Sequence, residues 1–365
     1  MSNRSGLATA RALTRGCLIG LALCGLALGQ HGSIITFDAP GAGTGFRQGT
    51  TATSINAAGV ITGYYVDASN FYHGFVRSPS GVFTVFDASG PGTGTLANGI
   101  NDYGAVTGYY IDTYGLDHGF VRSPSGVITT FDAPPVSGTS GTYAFSINDA
   151  GAVTGLYFEG AVAYSFVRSA SGAFALFGVP GAGGDGLNGT RAASINNAGA
   201  VAGSYSYNSP RYTLPNHGFV RAAGGAIATF TAPYAGTSPN QGTQPSGIND
   251  AGTIVGNYID ATGITHGFMR GSSGVFTTID VSGAIAILPV SINDAGAIAG
   301  SYSIPSLLSY GFVRSPSGVF VTFEVTGAGG APYSGTFANS INDAGAIAGY
   351  FIDAGSTYHG FLRTP

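Results

Sequence analysis

An asparagine preceded by Ser-Ile or Gly-Ile returns seven times, at Asn56, Asn101, Asn148, Asn196, Asn249, Asn293 and Asn342. The intervals are 45, 47, 48, 53, 44 and 49 residues, and a fixed period of that size marks a chain built from stacked repeat units. Three residues after each asparagine comes a glycine, at Gly59, Gly104, Gly151, Gly199, Gly252, Gly296 and Gly345. N-D-A-G therefore reads as a type I turn whose glycine takes a positive φ. It joins a strand ending in S-I-N to a strand of the type A-I-A-G-Y-Y. A second glycine, seven residues after each asparagine (Gly63 in the first unit), lies inside that second strand. A glycine there weakens pairing unless another backbone comes close, as between packed units.

Two further segments complete the unit. H-G-F-V-R reads as a third strand, S-P-S-G as a four-residue turn, and V-F-T-T-F-D as a fourth strand. Proline presets φ in such a turn and glycine accepts a positive one. Helical repeats do not fit short alternating strands, and a β-solenoid coil needs far fewer residues per turn. Four strands in roughly 48 residues is the size of one propeller blade. The two ends of the chain complement each other. Ile34 to Asp38 (IITFD) is a fourth strand with no partners before it, and the chain stops at a third strand ending in Arg363. The expected fold is thus an all-β, seven-bladed β-propeller of four-stranded antiparallel blades, closed by the N-terminal strand joining the last blade. Closure of this kind leaves no orphan edge.

The order S-I-N-D-x-G, G-Y-Y, H-G-F-V-R over residues 34–365 resembles the HAF-type extracellular repeat of bacterial exported proteins, with H-G-F where that family often has H-A-F. The resemblance implies export and a repeated β architecture, and it implies no established activity. Residues 1–29 agree with export. Arg4, Arg11 and Arg15 form a basic start, Cys17–Leu28 is an apolar run too short to span a membrane, and Ala27 and Gly29 fit a cleavage site. The expected organisation is a signal peptide over 1–29 and one propeller over 30–365, in a secreted or periplasmic bacterial protein that does not insert in the membrane after cleavage. Both cysteines, Cys17 and Cys24, lie in the signal, so the remainder holds neither disulfide nor cysteine-ligated metal. Every basic residue is arginine. Cleavage leaves ten arginines against seventeen acids, a formal charge of −7, which argues against nucleic acid as a partner.

Residues present in every unit are read as scaffold. These are the phenylalanine of H-G-F, the aromatic nine residues after each asparagine, and the arginine of F-V-R. Five units carry a histidine before that glycine (His73, His118, His217, His266, His359) and two carry Tyr164 and Tyr310. A histidine interchangeable with tyrosine, at radially dispersed positions, reads as a hydrogen-bonded structural group, so no metal or cofactor is expected. Function should break the symmetry. Strands alternate in direction, so the loops joining fourth to first and second to third strands share one end, and these loops hold the length variation. The charges off the repeat are Arg47, Asp117, Glu159, Asp185, Arg191 and Arg211, joined by the aromatics Tyr207 and Tyr212 of the longest loop. All are expected in those loops, with a bias toward blades 2–4.

The sequence thus leads to a monomeric, non-enzymatic binding or scaffold module that takes a glycan, an envelope component or an extracellular protein on its loop end. The alternative is a propeller glycoside hydrolase or polysaccharide lyase. Glycosidase chemistry needs two carboxyls about 5–10 Å apart, and only Asp117, Glu159 and Asp185 are unrepeated acids.

Overall fold

The computed structural model describes residues 32–90, 94–134, 141–160, 162–182, 189–207 and 215–365. Residues 1–29, expected from the sequence to be a signal peptide, lie outside them. Among the described residues no helix is long and apolar enough to cross a membrane, and the regular elements are strands joined by turns.

The first unit consists of β2 (Gly49–Ile55), β3 (Ile61–Val66), β4 (Tyr72–Arg77) and β5 (Phe83–Phe86), following a lone β1 (Ile34–Phe37). The second is β6 (Gly94–Ile100), β7 (Val106–Ile111), β8 (Asp117–Arg122) and β9 (Ile128–Phe131). The third is β10 (Thr142–Ile147), β11 (Val153–Glu159), β12 (Val162–Arg168) and β13 (Phe174–Phe177). The fourth is β14 (Gly189–Ile195), β15 (Val201–Ser206), β16 (Asn216–Arg221) and β17 (Ile227–Phe230). The fifth is β18 (Gly242–Ile248), β19 (Ile254–Ile259), β20 (Thr265–Arg270) and β21 (Phe276–Ile279). The sixth is β22 (Ala286–Ile292), β23 (Ile298–Ser303), β24 (Ser309–Arg314) and β25 (Phe320–Phe323). The last comprises β26 (Gly335–Ile341), β27 (Ile347–Ile352) and β28 (Tyr358–Arg363). Its fourth strand is β1, which pairs antiparallel with β28 from Ile34↔Arg363 to Phe37↔Gly360.

The N-D-A-G turn forms as its residues require. Gly59 has φ +77°, its N–H donates to Asn56 O at 2.9 Å, and the Asn56 side-chain oxygen accepts Val60 N–H at 2.9 Å. The Asn56 side-chain amide then leaves its own unit and donates to Asn101 O at 3.1 Å. The same bond recurs from Asn101 to Asn148, Asn148 to Asn196, Asn196 to Asn249, Asn249 to Asn293 and Asn293 to Asn342. The seventh amide, on Asn342, donates to Asn56 O at 2.9 Å. All seven asparagines are buried, so each amide hydrogen bond is one whose loss would strand a buried polar group.

The strand glycines act differently from the sequence expectation. A Cβ on Gly63 would overlap Thr51 O and the Phe75 ring of its own unit, with no adjacent unit among its nearest atoms. The reason is a β-bulge between Ala52 and Ser54, which pushes the β2 backbone toward Gly63. The glycines that admit a neighbouring unit are instead Gly49, Gly189, Gly242 and Gly335, which open four of the first strands. Gly49, at φ +109°, lies where a Cβ would overlap Tyr358 O, and it forms a parallel bridge to Tyr358.

Side chains fill the space between units. Phe75, Phe120, Phe166, Phe219, Phe268, Phe312 and Phe361 are all fully buried. In six of the seven units the repeated arginine covers a phenylalanine of the preceding unit's fourth strand. Arg77 stacks on Phe37 at 4.5 Å, Arg168 on Phe131 at 4.7 Å and Arg270 on Phe230 at 4.7 Å. Desolvation lowers these arginine pKa values, and the ring face supplies part of the lost solvation.

Two substitutions test this packing. Gly63→Ala forces a methyl into the bulge and is expected to cost about 1–3 kcal/mol. Asn148→Ala leaves the Ala152 amide without its acceptor and takes one of two donors from the Asn196 carbonyl, with an expected cost of about 1–3 kcal/mol. Urea titration followed by tyrosine fluorescence measures both; a midpoint unchanged from the parent would contradict the assignment.

Candidate functional site

The two ends of the stack differ in kind. At the N-D-A-G end the asparagine ring surrounds a cavity of about 180 Å³. Outside it runs a second ring, in which Asp102, Asp149, Asn197, Asp250, Asp294 and Asp343 each accept the backbone N–H of the equivalent residue one unit earlier, at 2.7–2.9 Å. Burial and the facing carboxylates of Asp250 and Asp343 raise the Asp294 pKa. This end is nearly seven-fold regular, and one side-chain oxygen of each residue in the outer ring accepts a backbone N–H.

At the loop end four of the five repeated histidines lie between two carboxylates. His73 Nδ1 lies 2.8 Å from Asp87, and its Nε2 lies 3.5 Å from Asp67. The pattern repeats as Asp112–His118–Asp132, Asp260–His266–Asp280 and Asp353–His359–Asp38. The two nitrogens face different carboxylates, so the group bridges a loop to a strand end instead of converging on a point. The carboxylates ending the fourth strands thus pair with histidine, while the arginines take the rings. Asp67, Asp112 and Asp260 also cap their loops by accepting two backbone N–H groups each, as an Asx-turn does. Each of these four imidazoles is also stacked on the unit's aromatic, as His73 is on Tyr65 at 4.9 Å. Among the described residues no group of three or more His, Cys, Asp or Glu is placed to hold a metal ion.

Symmetry breaks one position away. Next to the invariant strand glycine, each second strand faces a first-strand residue, and the pair changes from unit to unit: Thr51–Tyr64, Leu96–Tyr109, Tyr143–Leu156, Arg191–Ser204, Gln244–Asn257, Leu288–Ser301 and Phe337–Tyr350. Aromatics concentrate in the last unit and the first three. Phe337 stacks on Tyr350 at 4.9 Å and Tyr350 on Tyr358 at 5.4 Å. Tyr64 meets Tyr72 at 5.8 Å, and Tyr109 meets Tyr143 across a unit boundary at 5.0 Å. Burial raises the hydroxyl pKa of Tyr64, Tyr109, Tyr143 and Tyr350. Burial, then the Asp117 charge, pushes Tyr109 up to about 12. Burial and a hydrogen bond to Asp117 raise Tyr143, and burial with Tyr358 and Tyr64 nearby raises Tyr350. The result is a lining of flat apolar faces and neutral hydroxyls.

The unrepeated charges fall as follows. Arg47 lies in the loop before β2, as expected. Asp117, Glu159 and Arg191 do not lie in loops: they belong to β8, β11 and β14, because cross-strand pairing continues through Ile111↔Asp117, Glu159↔Val162 and Arg191↔Ser204. Asp117 accepts the Tyr143 hydroxyl at 2.5 Å. Tyr207 packs on His217 at 5.3 Å, with its hydroxyl 3.3 Å from that of Tyr205. Asp185, Arg211 and Tyr212 lie outside the described residues. The structure thus brings Asp117 to the tyrosine lining and keeps Tyr207 in a separate layer of the fourth unit. A search for unrepeated charges misses the tyrosines, although the position eight residues after each asparagine already reads Tyr, Tyr, Leu, Ser, Asn, Ser, Tyr.

Repeated four-stranded antiparallel units of this kind define a β-propeller-like fold. Solved structures agree. A streptogramin B lyase matches with TM-score 0.57 at 11% identity, over 91% of this chain and 98% of that one. Virginiamycin B lyase from Staphylococcus aureus matches with TM-score 0.56 at 13% identity, over 91% and 99%. At these identities the likeness concerns the fold. No protein-family model matches the chain, and no curated protein matches it in sequence.

The histidine environments carry a prediction. Burial lowers His118, but hydrogen bonds and charge from Asp132 and Asp112 outweigh it and leave the pKa above the ordinary value. His217 has Thr231 in place of the carboxylate, and burial lowers it. In NMR titration His118 is expected to titrate above pH 6.5 and His217 below it. A raised folded pKa means that the His118 contribution to stability is present below pH 6.5 and lost as pH rises through the folded value; for His217 stability is lost on acidification. Equal midpoints would refute the assignment.

Proposed function

We propose that the chain is a closed seven-bladed propeller, exported by a bacterium of the HAF-type repeat class, and that it is a non-enzymatic binding module for a glycan, envelope or extracellular protein ligand. Closure is supported by the pairing of β1 with β28 and by the return of the Asn342 amide to Asn56. Export is supported by the basic, apolar and small-residue order of residues 1–29.

The observation that carries the binding reading is the contrast between the ends. One end repeats the same asparagine and aspartate bonds around the axis. The other, on the same scaffold, presents a residue pair that differs in every unit. A rigid frame with one variable end is how recognition surfaces are built. The tyrosines offer stacking area and hydroxyl donors at low entropic cost. Asp117 is engaged by a phenol, and the high phenol pKa values keep these groups in the donor form. The binding site is therefore placed around the last blade and blades 1–3, instead of blades 2–4.

The test is a glycan array together with pull-down of envelope proteins, using residues 32–365. Tyr109→Ala and Tyr350→Ala are each expected to lower affinity about five- to a hundredfold, because each removes an aromatic contact of about 1–3 kcal/mol. Asp149→Asn, at the other end, should leave affinity unchanged. Binding lost only in Asp149→Asn would refute the placement. Turnover of a bound polysaccharide that Asp117→Asn abolishes would establish the hydrolase or lyase alternative.

A further inference from the structure

At the junction of the last and first units, two adjoining cavities of about 190 and 240 Å³ share Arg47 and Tyr358. Tyr64 and Tyr72 line the first, and Phe46 and Tyr333 line the second. Arg47 is exposed, with its guanidinium 5.2 Å from the Phe46 ring centre, and it shares its two cavities with four tyrosines. No carboxylate pairs with it among the described residues. Six of the seven arginines that recur in the units are spent on covering phenylalanines, whereas Arg47 is exposed at a cleft in an acidic chain.

The backbone shows that the placement is held at a cost. Three of the loops before a first strand make the same turn, with residues of positive φ at Arg47 (61°), Asn240 (62°) and Tyr333 (67°). Asparagine tolerates this conformation, whereas arginine and tyrosine adopt it reluctantly. The two reluctant residues are the two that face the same cavity. Strain kept at a cleft, where asparagine serves elsewhere in the same fold, points to use of the side chains. The turn is also firmly seated: Arg47 N–H donates to Ser356 O at 2.9 Å, Tyr358 N–H to Gln48 O at 2.8 Å, and Thr357 Oγ1 to Thr44 O at 3.0 Å.

We infer that this junction is an oxyanion subsite for a ring-shaped acidic ligand, with the acid on the Arg47 guanidinium and the ring against Tyr358 and its aromatic neighbours. Guanidinium pairs planar oxyanions through two parallel hydrogen bonds, and the aromatic walls accept the flat face of a sugar or an arene. The chemistry is shared by a uronate residue of a glycan and by a free aromatic acid. The inference rests on the loop-end binding reading and adds the charge of the ligand to it.

The experiment measures calorimetric affinity of residues 32–365 for oligogalacturonate, for a neutral galactose oligomer of equal length, and for 4-hydroxybenzoate, in the parent and in Arg47→Asn. The variant keeps the turn, so its Tm should stay the same or rise. Oligogalacturonate affinity should fall at least tenfold in Arg47→Asn while any neutral-oligomer affinity stays constant; the same loss for 4-hydroxybenzoate alone would support the subsite and assign it to aromatic acids. Acidic and neutral oligomers bound alike, with no effect of Arg47→Asn but a loss in Tyr109→Ala, would overturn the subsite and leave the loop-end reading standing. Failure of both acids to bind, or a lowered Tm that accompanies the loss, would also overturn it.

Discussion

The structure depends on one side-chain hydrogen bond used seven times. Each asparagine of the S-I-N turn satisfies its own turn through its oxygen and the next unit through its amide. Neither bond is strong by itself, since a neutral hydrogen bond contributes about 1 kcal/mol net. Their effect comes from burial and order: a unit displaced from its neighbours would strand a donor on one side and an acceptor on the other. The aspartate ring outside it and the arginine–phenylalanine stacks farther out repeat the same logic, tying each unit to the one before or after it. Packing of this kind leaves little freedom at the turn end and explains why that end repeats.

The loop end is released from that constraint. There the units touch through the parallel strand bridge and the loops, and the residue beside the strand glycine changes from unit to unit, joining its neighbour through different bonds where it does so, as the Tyr143 hydroxyl does to Asp117 and Ser301 does to the Ala338 N–H. The acid–histidine–acid groups lie at this end but hold loops to strands within a unit, and they too are replaceable, by threonine at unit 4 and by tyrosine in units 3 and 6. Sequence variation therefore accumulates at the end that carries fewer repeated bonds between units, which is where the proposed binding surface lies.

Much of the fold was legible because its determinants are local. Turn glycines, S-P-S-G hairpins and the unmatched fourth strand at the start identify the units and their strands. What spacing could not show lies between units. The Asn56 amide finds its acceptor 45 residues away, and Arg77 finds a ring 40 residues earlier, on β1. Unit 6 shows the dependence on context: where the preceding fourth strand ends in Ile279 instead of phenylalanine, Arg314 has no ring beneath it among the stacks seen elsewhere. Gly63 was correctly seen as a close approach, but its neighbour is the bulged strand of its own unit. The site was legible in part. Charge identified Arg47 and Asp117, whereas the tyrosines are hidden in a strand whose flanking residues repeat, and only their contacts across unit boundaries join them.

A closed ring and an open array of the same units differ in how they respond to a local defect, and hydrogen exchange on Asn148→Ala reads that difference directly. If the units form one closed cooperative body, a lost bond at the third unit lowers protection throughout, including the β1–β28 pairing on the far side of the ring. Faster exchange in β1 and β28 of the variant, matched to that around Asn148, is the expected result. A loss confined to units 3 and 4, with β1 and β28 protected as in the parent, would contradict the account.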